Sequence, residues 1–170
     1  MPADLPPTDA DLVAAARRLG EVLVARGWQM AAAESCTGGL VGHAITAVPR
    51  ASDHFLGGIV SYSNAAKEDL LAVSHDVLEQ AGAVSPDVAK AMAAGALTAF
   101  PAARLAVAVT GIAGPDGGSA QKPVGLTYMA AAVRDGESLV EEVRWPFDRD
   151  GNKRASALAT LELATRAAST

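Results

Sequence analysis

Trp28-Gln29-Met30-Ala31-Ala32-Ala33-Glu34-Ser35-Cys36-Thr37-Gly38-Gly39 is the stretch whose reading decides the fold. Trp28 to Ala33 is a short apolar run with Gly27 before it and a polar, glycine-ended cluster after it, the pattern of a buried strand running into a turn. Leu40 to Val48 resumes helical spacing, so the unit is strand, turn, helix. In such a turn Gly38 and Gly39 remove side-chain bulk, and the unpaired amides of a helix start face outward. Upstream, Thr8 stands as N-cap to a helix whose apolar face carries Leu12, Val13, Ala16, Leu19, Val22 and Leu23 and which Gly27 ends.

The same grammar repeats downstream. Gly57-Gly58 opens a strand from Ile59 to Tyr62, and Asn64 with Lys67-Glu68 reads as a capped helix start. Ser85-Pro86-Asp87 offers an N-cap, a proline at the first helical position and a first-turn acid, ahead of an alanine-rich helix reaching about Phe100. Leu105 to Val109 is a third strand, entering the glycine-rich loop Thr110 to Gly118. Val124 to Val133 and Ser138 to Trp145 flank Arg134-Asp135-Gly136-Glu137 as a hairpin, and a helix from about Gly151 or Asn152 to Ala168 closes the chain. The expected fold class is α/β: a single domain over residues 1–170, three layers α/β/α, with a mixed sheet of about five strands.

Composition narrows the function. Half of the 170 residues are hydrophobic but only 4% are aromatic, so packing rests on small side chains that let backbones approach closely. A formal net charge of −5 argues against holding nucleic acid or an anionic membrane by bulk charge and favours a small-molecule partner. The single cysteine, Cys36, excludes an internal disulfide framework and a multi-cysteine zinc site, and as a nucleophile it is a poorer reading than a small buried residue. Met1 to Leu12 lacks the basic-then-apolar pattern of a leader and no 18-residue apolar run follows, so a cytoplasmic location is expected. His43, His54 and His75 have no zinc-hydrolase spacing, which leaves metal chemistry unsupported.

Three polar clusters follow the apolar strands: Glu34 to Gly39, Ser61 to Lys67, and Thr110 to Gly118. On parallel neighbours in an open α/β sheet they converge on one crevice at the carboxyl ends of the strands. Ser35 at its turn serves as a helix cap, beside a phosphate cradle, or as a hydroxyl nucleophile next to oxyanion-holding amides. A serine needs a base, and a desolvated Lys67 is one candidate, with Tyr62 placed to steer the proton; a solvated lysine and a half-buried strand tyrosine are the plainer readings. Thr110 and the amides of Gly111, Ile112, Ala113 and Gly114 form a long loop with no P-loop or dinucleotide pattern. Arg149 and Arg154, around the start of the last helix, are candidates for bidentate bonds to phosphate or carboxylate.

At these residues the chain resembles a known family. Ala33-Glu34-Ser35-Cys36-Thr37-Gly38-Gly39-Leu40, Val60-Ser61-Tyr62-Ser63-Asn64-Ala65-Ala66-Lys67, Gly82-Ala83-Val84-Ser85, Val109-Thr110-Gly111-Ile112-Ala113-Gly114-Pro115 and Pro123-Val124-Gly125-Leu126 to Tyr128 are similar, in order, to the CinA C-terminal-domain family, the nicotinamide-nucleotide amidohydrolases. The resemblance runs from about residue 12 to the end and implies a three-layer α/β/α fold, no metal and no organic cofactor. It implies hydrolysis of the carboxamide of nicotinamide mononucleotide to nicotinic acid mononucleotide and ammonia, in pyridine nucleotide salvage. Carried over by motif, Ser35 is the nucleophile, Lys67 its base and Tyr62 a catalytic neighbour, while Thr37, Gly38, Gly39, Thr110 to Gly114, Arg149 and Arg154 fall to substrate binding. The family's Phe-x-Gly-Asp-Arg pattern is altered here to Trp145-Pro146-Phe147-Asp148-Arg149, with Phe147 in place of the glycine. The alternative reading is a non-catalytic nucleotide-binding regulatory module. A homo-oligomer is a further expectation for a small α/β enzyme, with no interface located.

Overall fold

The computed structural model describes residues 5–170; the first four residues of the expected domain lie outside the described residues. The chain runs α1 (Asp9–Arg26), β1 (Met30–Glu34), α2 (Leu40–Thr46), a single 3-10 turn (Ala51–Asp53), β2 (Phe55–Val60), α3 (Asn64–Leu71), α4 (His75–Ala81), α5 (Pro86–Ala99), β3 (Leu105–Gly111), β4 (Leu126–Val133), β5 (Ser138–Arg144) and α6 (Arg149–Ser169). The five strands form one sheet in the order β2-β1-β3-β4-β5. β1 pairs parallel with both β2 and β3, whereas β3-β4 and β4-β5 are antiparallel. The mixed α/β architecture expected from the sequence is therefore present.

Its layers follow from strand alternation. Met30, Ala32, Leu105, Val107, Val109, Met129 and Ala131 point to one face and pack under Leu12, Leu19 and Leu23 of α1, Val41 and Ile45 of α2 and Leu161 and Leu163 of α6. Ala33, Ala106, Ala108, Ala130 and Ala132 point to the other and meet Leu71, Leu78, Val88, Met92 and Ala96 of α3, α4 and α5. The second face is almost all alanine, so α5 lies close on the sheet. Gly95 of α5 lets that helix touch the end of α3, because a Cβ there would sit 2.0 Å from the Leu71 carbonyl oxygen.

The helix starts obey local chemistry. Thr8 caps α1 in a full capping box with Asp11, Gly27 closes the helix in the left-handed region at φ 62°, and Ser85 caps α5 with Pro86 behind it. Several boundaries differ from the sequence expectation. Trp28 lies before β1 rather than in it, because its N–H donates to the Leu23 carbonyl at 2.9 Å and so closes α1, while its ring is covered by the guanidiniums of Arg26 and Arg104. Gly57 and Gly58 lie inside β2 instead of opening it, and Gly57, at φ 146°, admits the Phe100 ring, which an added Cβ would meet at 3.1 Å. Ser63, not Asn64, caps α3, and α4 was not expected from the apolar spacing at all. Thr110 and Gly111 continue β3 instead of starting the loop, since Thr110 pairs with Tyr128 and Gly111 with Thr127. α6 begins at Arg149, two or three residues earlier than read, because Asp148 accepts the Gly151 N–H.

Candidate active site

The parallel run β2-β1-β3 brings the three polar clusters side by side at one end of the sheet, as expected for a crevice where the chain crosses both ways from β1. Backbone ties set the spacing. The Ser35 N–H donates to the Val109 carbonyl at 3.0 Å and the Ser61 N–H donates to the Glu34 carbonyl at 2.8 Å, so the loops leaving β1, β2 and β3 are stitched together just past the strands.

The turn after β1 is organised around Glu34, which sequence reading treated only as one polar residue among several. Its buried carboxylate accepts the Thr37 hydroxyl at 2.6 Å and the backbone N–H groups of Gly39 at 3.0 Å, Val41 at 3.1 Å and Gly42 at 2.8 Å. A side chain from the preceding strand thus caps α2 in place of a local N-cap, Gly39 itself lying in the left-handed region at φ 100°. Two expected substrate contacts are consumed by this arrangement, namely the Thr37 hydroxyl and the Gly39 amide. The available sequence signal was an ionisable residue directly ending an all-apolar strand, since a buried carboxylate needs donors in hand.

Beside this turn, Lys67 Nζ donates to Ser35 Oγ at 3.0 Å and to the Ser61 carbonyl at 2.7 Å. Lys67 is 1% exposed and stands four residues into α3, which Ser63 starts by accepting the Ala66 N–H. It has no carboxylate partner among the described residues, and burial holds its pKa below the ordinary lysine value. The Ser61 carbonyl can only accept, so it pins one N–H and aims the rest of the amine at Ser35. Next to the pair, burial pushes the Cys36 thiol up to about 12, against the opposing pull of the Lys67 and Lys153 charges, and so keeps it a neutral thiol.

The remaining expected residues divide. Arg149 donates to the Gly114 carbonyl at 2.6 Å and to the Tyr62 hydroxyl at 3.1 Å, bridging the loops after β2 and β3 from the start of α6. Tyr62 is therefore at the mouth, 61% exposed and bonded to Arg149, and not hydrogen-bonded to Ser35 or Lys67. Thr110 is 1% exposed and its hydroxyl donates to the Ala83 carbonyl at 2.8 Å, tying β3 to the segment before α5. Ile112 continues the β-ladder, donating to the Leu126 carbonyl and accepting from the Gly125 N–H, while Gly111 lets Thr127 approach to 2.7 Å of where a Cβ would be. Arg154 is turned away, bonded to Asp9 and to Asp150. The backbone N–H groups of Thr37, Ala113 and Gly114 have no backbone partner among the described residues, and that of Cys36 faces its own sulfur.

A depression of about 730 Å³ adjoins the Arg149 bridge, lined by Ala113, Pro115, Val124, Phe147, Asp148, Arg149, Asp150 and Lys153. Asn152, buried beneath it, donates to the Ala113 carbonyl at 3.0 Å and accepts the Phe147 N–H at 3.1 Å. Phe147 occupies room that Gly151 leaves, since a Cβ at 151 would lie 2.6 Å from the Phe147 Cβ. The departure at 147 is thus matched by a glycine one turn on. No cluster of side chains able to hold a metal ion occurs among the described residues.

The model of the CinA C-terminal domain matches residues 13–168. The chain belongs to the CinA C-terminal domain family. Within it, the chain is 48% identical over 148 residues to the nicotinamide-nucleotide amidohydrolase PncC of Enterobacter agglomerans, covering 87% of this chain and 90% of that protein. The protein of the same name from Escherichia coli strain K12 is 45% identical over 157 residues, covering 91% and 94%. Against a CinA-like protein of Mycobacterium marinum the chain spans 33% of the relative's length at 47% identity, so this CinA domain corresponds to about a third of such longer relatives. The crystal structure of the competence/damage inducible protein CihA from Agrobacterium tumefaciens superposes with a TM-score of 0.89 at 40% identity, covering 99% of this chain and 100% of that one.

Proposed function

We propose that this chain is a nicotinamide-nucleotide amidohydrolase, cleaving the carboxamide of nicotinamide mononucleotide to nicotinic acid mononucleotide and ammonia. The observation that carries the reading is the buried Lys67 Nζ 3.0 Å from Ser35 Oγ with no carboxylate to hold the amine charged. A binding module has no use for a desolvated base beside a serine, and the two PncC relatives, 48% and 45% identical and of nearly the same length, carry amidohydrolase in their names.

In the reaction, neutral Lys67 takes the Ser35 proton as Oγ attacks the carboxamide carbon. The amides of Cys36 and Thr37, directly after the nucleophile, hold the oxygen that becomes negative. Collapse expels the amide nitrogen, which leaves as ammonia with the proton from Lys67, and Ser35 carries an acyl ester. Water then gives a proton to Lys67 as it attacks the ester, Lys67 returns that proton to the departing Ser35 Oγ, and the carboxylic acid formed ionises to the carboxylate product. Among the described residues no helix is long and apolar enough to cross a membrane, and the single cysteine suits the cytoplasm, where pyridine nucleotides turn over. Tyr62 and Arg149 form one side of the entrance and orient the nucleotide.

The test is ammonia release and product identity with nicotinamide mononucleotide and no added metal. Stoichiometric ammonia and nicotinic acid mononucleotide support the reading. A protein that binds the nucleotide without releasing ammonia at any pH is a regulatory nucleotide-binding module instead.

A further inference from the structure

Three consecutive carbonyls between α4 and α5 are taken by three side chains from different parts of the chain. Lys122 Nζ donates to the Ala81 carbonyl at 2.5 Å, the Ser85 hydroxyl to the Gly82 carbonyl at 3.0 Å and the Thr110 hydroxyl to the Ala83 carbonyl at 2.8 Å. Ala81 ends α4, so its carbonyl has no partner within the helix and suits a cationic donor. Gly82 leaves the room for it, since a Cβ there would lie 2.9 Å from Lys122 Nζ. Thr110 and Lys122 thus bracket the loop between β3 and β4 and fasten both of its ends to one short segment. The loop closes on itself at Lys122, where the Ser119 N–H donates to the Lys122 carbonyl at 2.8 Å and the Lys122 N–H to the Ser119 hydroxyl at 3.0 Å. Pro115 to Gln121 are exposed, so this part of the loop is held by its bonds and not by packing.

We propose that Lys122 is a positioning residue for substrate capture: latched onto the end of α4, it holds the loop between β3 and β4 in place as a wall of the entrance. The inference rests on the function proposed above. Ala113, Pro115 and Val124 of this loop line the depression beside Arg149, whereas Lys122 lines none of it and acts through the loop. Arg149 holds the start of the loop by the Gly114 carbonyl at 2.6 Å, and Lys122 holds its end. Without Lys122 the exposed stretch keeps only the first of these ties, and the wall must be ordered again each time a ligand arrives. The Ser35 turn is fastened to β3 at Val109, ahead of the loop, so the nucleophile stays in place when the latch is lost. The cost therefore falls on KM and leaves kcat nearly as it was.

Steady-state kinetics with nicotinamide mononucleotide and hydrogen–deuterium exchange of the ligand-free protein test the latch. The proteins compared are wild type, Lys122→Met, Lys122→Arg and, as a control for net charge, Lys90→Met at an exposed position on α5. Lys122→Met raises KM by about tenfold, as loss of one charge-assisted bond does, with kcat changed little. It also speeds exchange in the peptide spanning 115–122 by about tenfold, while β3 and α5 exchange as in wild type. Lys122→Arg, which keeps a cationic donor for the Ala81 carbonyl, restores both, and Lys90→Met changes neither. A lysine that only attracted the nucleotide by its charge would raise KM and leave the ligand-free exchange as it was, and that result overturns the proposal. An unchanged KM, a fall in kcat alone, or exchange that is faster throughout the protein overturns it too. If wild type releases no ammonia, yet Lys122→Met still loosens 115–122 and weakens calorimetric binding of nicotinic acid mononucleotide, the amidohydrolase reading falls and the latch stands.

Discussion

Lys67 and Ser35, 32 positions apart in the chain, meet through a 3.0 Å hydrogen bond inside a site that excludes water from the amine. The contact exists because β1 and β2 are parallel neighbours, so the turn after one and the helix after the other start at the same level. Replacing either member tests the pair. Ser35→Ala lowers kcat by about 10³-fold or more, and Lys67→Met, which keeps the stem and removes the base, by about 10²- to 10⁴-fold. Circular dichroism shows both variants folded, and mass spectrometry detects an acyl ester on Ser35 only while Ser35 is present.

The pH profile follows from burial of Lys67. Its pKa is below the ordinary 10.5, so the amine becomes neutral at lower pH than a surface lysine does. Activity therefore rises with pH up to that lowered pKa and then levels. In the stability of the protein the sign is the same, since the unfolded chain binds the extra proton between the two values and folding is favoured as pH rises through that window. Lys67→Met removes this part of the stability profile, read from denaturant unfolding at a series of pH values; an unchanged slope would sink the assignment.

Glu34 positions the turn without touching substrate. Glu34→Gln replaces one acceptor oxygen by an NH₂ group facing N–H donors, and costs about 1–3 kcal/mol in urea unfolding. It also lowers kcat with little change in KM, because the Ser35 turn loosens while Tyr62 and Arg149 at the entrance are untouched. Glu34→Asp, a shorter carboxylate, recovers part of the rate.

Gly95→Ala tests the seat of α3. The added Cβ would fall 2.0 Å from the Leu71 carbonyl oxygen, and backbone cannot give way as a side-chain tip can. Destabilisation of about 1–3 kcal/mol is expected, with a fall in kcat because α3 carries Lys67.

His54 sets acid sensitivity at the other end of the sheet. Both ring nitrogens are buried without partners among the described residues, the ring lies against Gly20, and burial keeps its pKa below the ordinary 6.5. The unfolded ring takes up a proton that the folded one resists, so stability is intact above 6.5 and falls as pH drops below it toward the folded value. Exposed His75, raised by Glu68, works in the opposite sense. Thermal melts between neutral and acid pH are flatter for His54→Leu than for wild type, and identical slopes would exclude the role.

Local signals in the chain determined the order of the strands and of every α-helix but α4, the caps at Thr8, Ser85 and Gly27, the α/β class and the residues of the three strand-end clusters, because each of these depends on neighbours within a turn or on a strand's own period. The Ser35 and Lys67 positions were legible for the same reason, as polar interruptions of apolar patterns. Their 3.0 Å contact was not, nor was the diversion of Thr37 and Gly39 to Glu34, of Thr110 to Ala83, and of Arg154 to Asp9 rather than to the site. Those outcomes are set by which distant donor reaches which buried acceptor once the sheet has formed. A polar side chain looks the same in sequence whether it will meet substrate or close a buried hydrogen bond, and only the burial imposed by the assembled layers decides between the two.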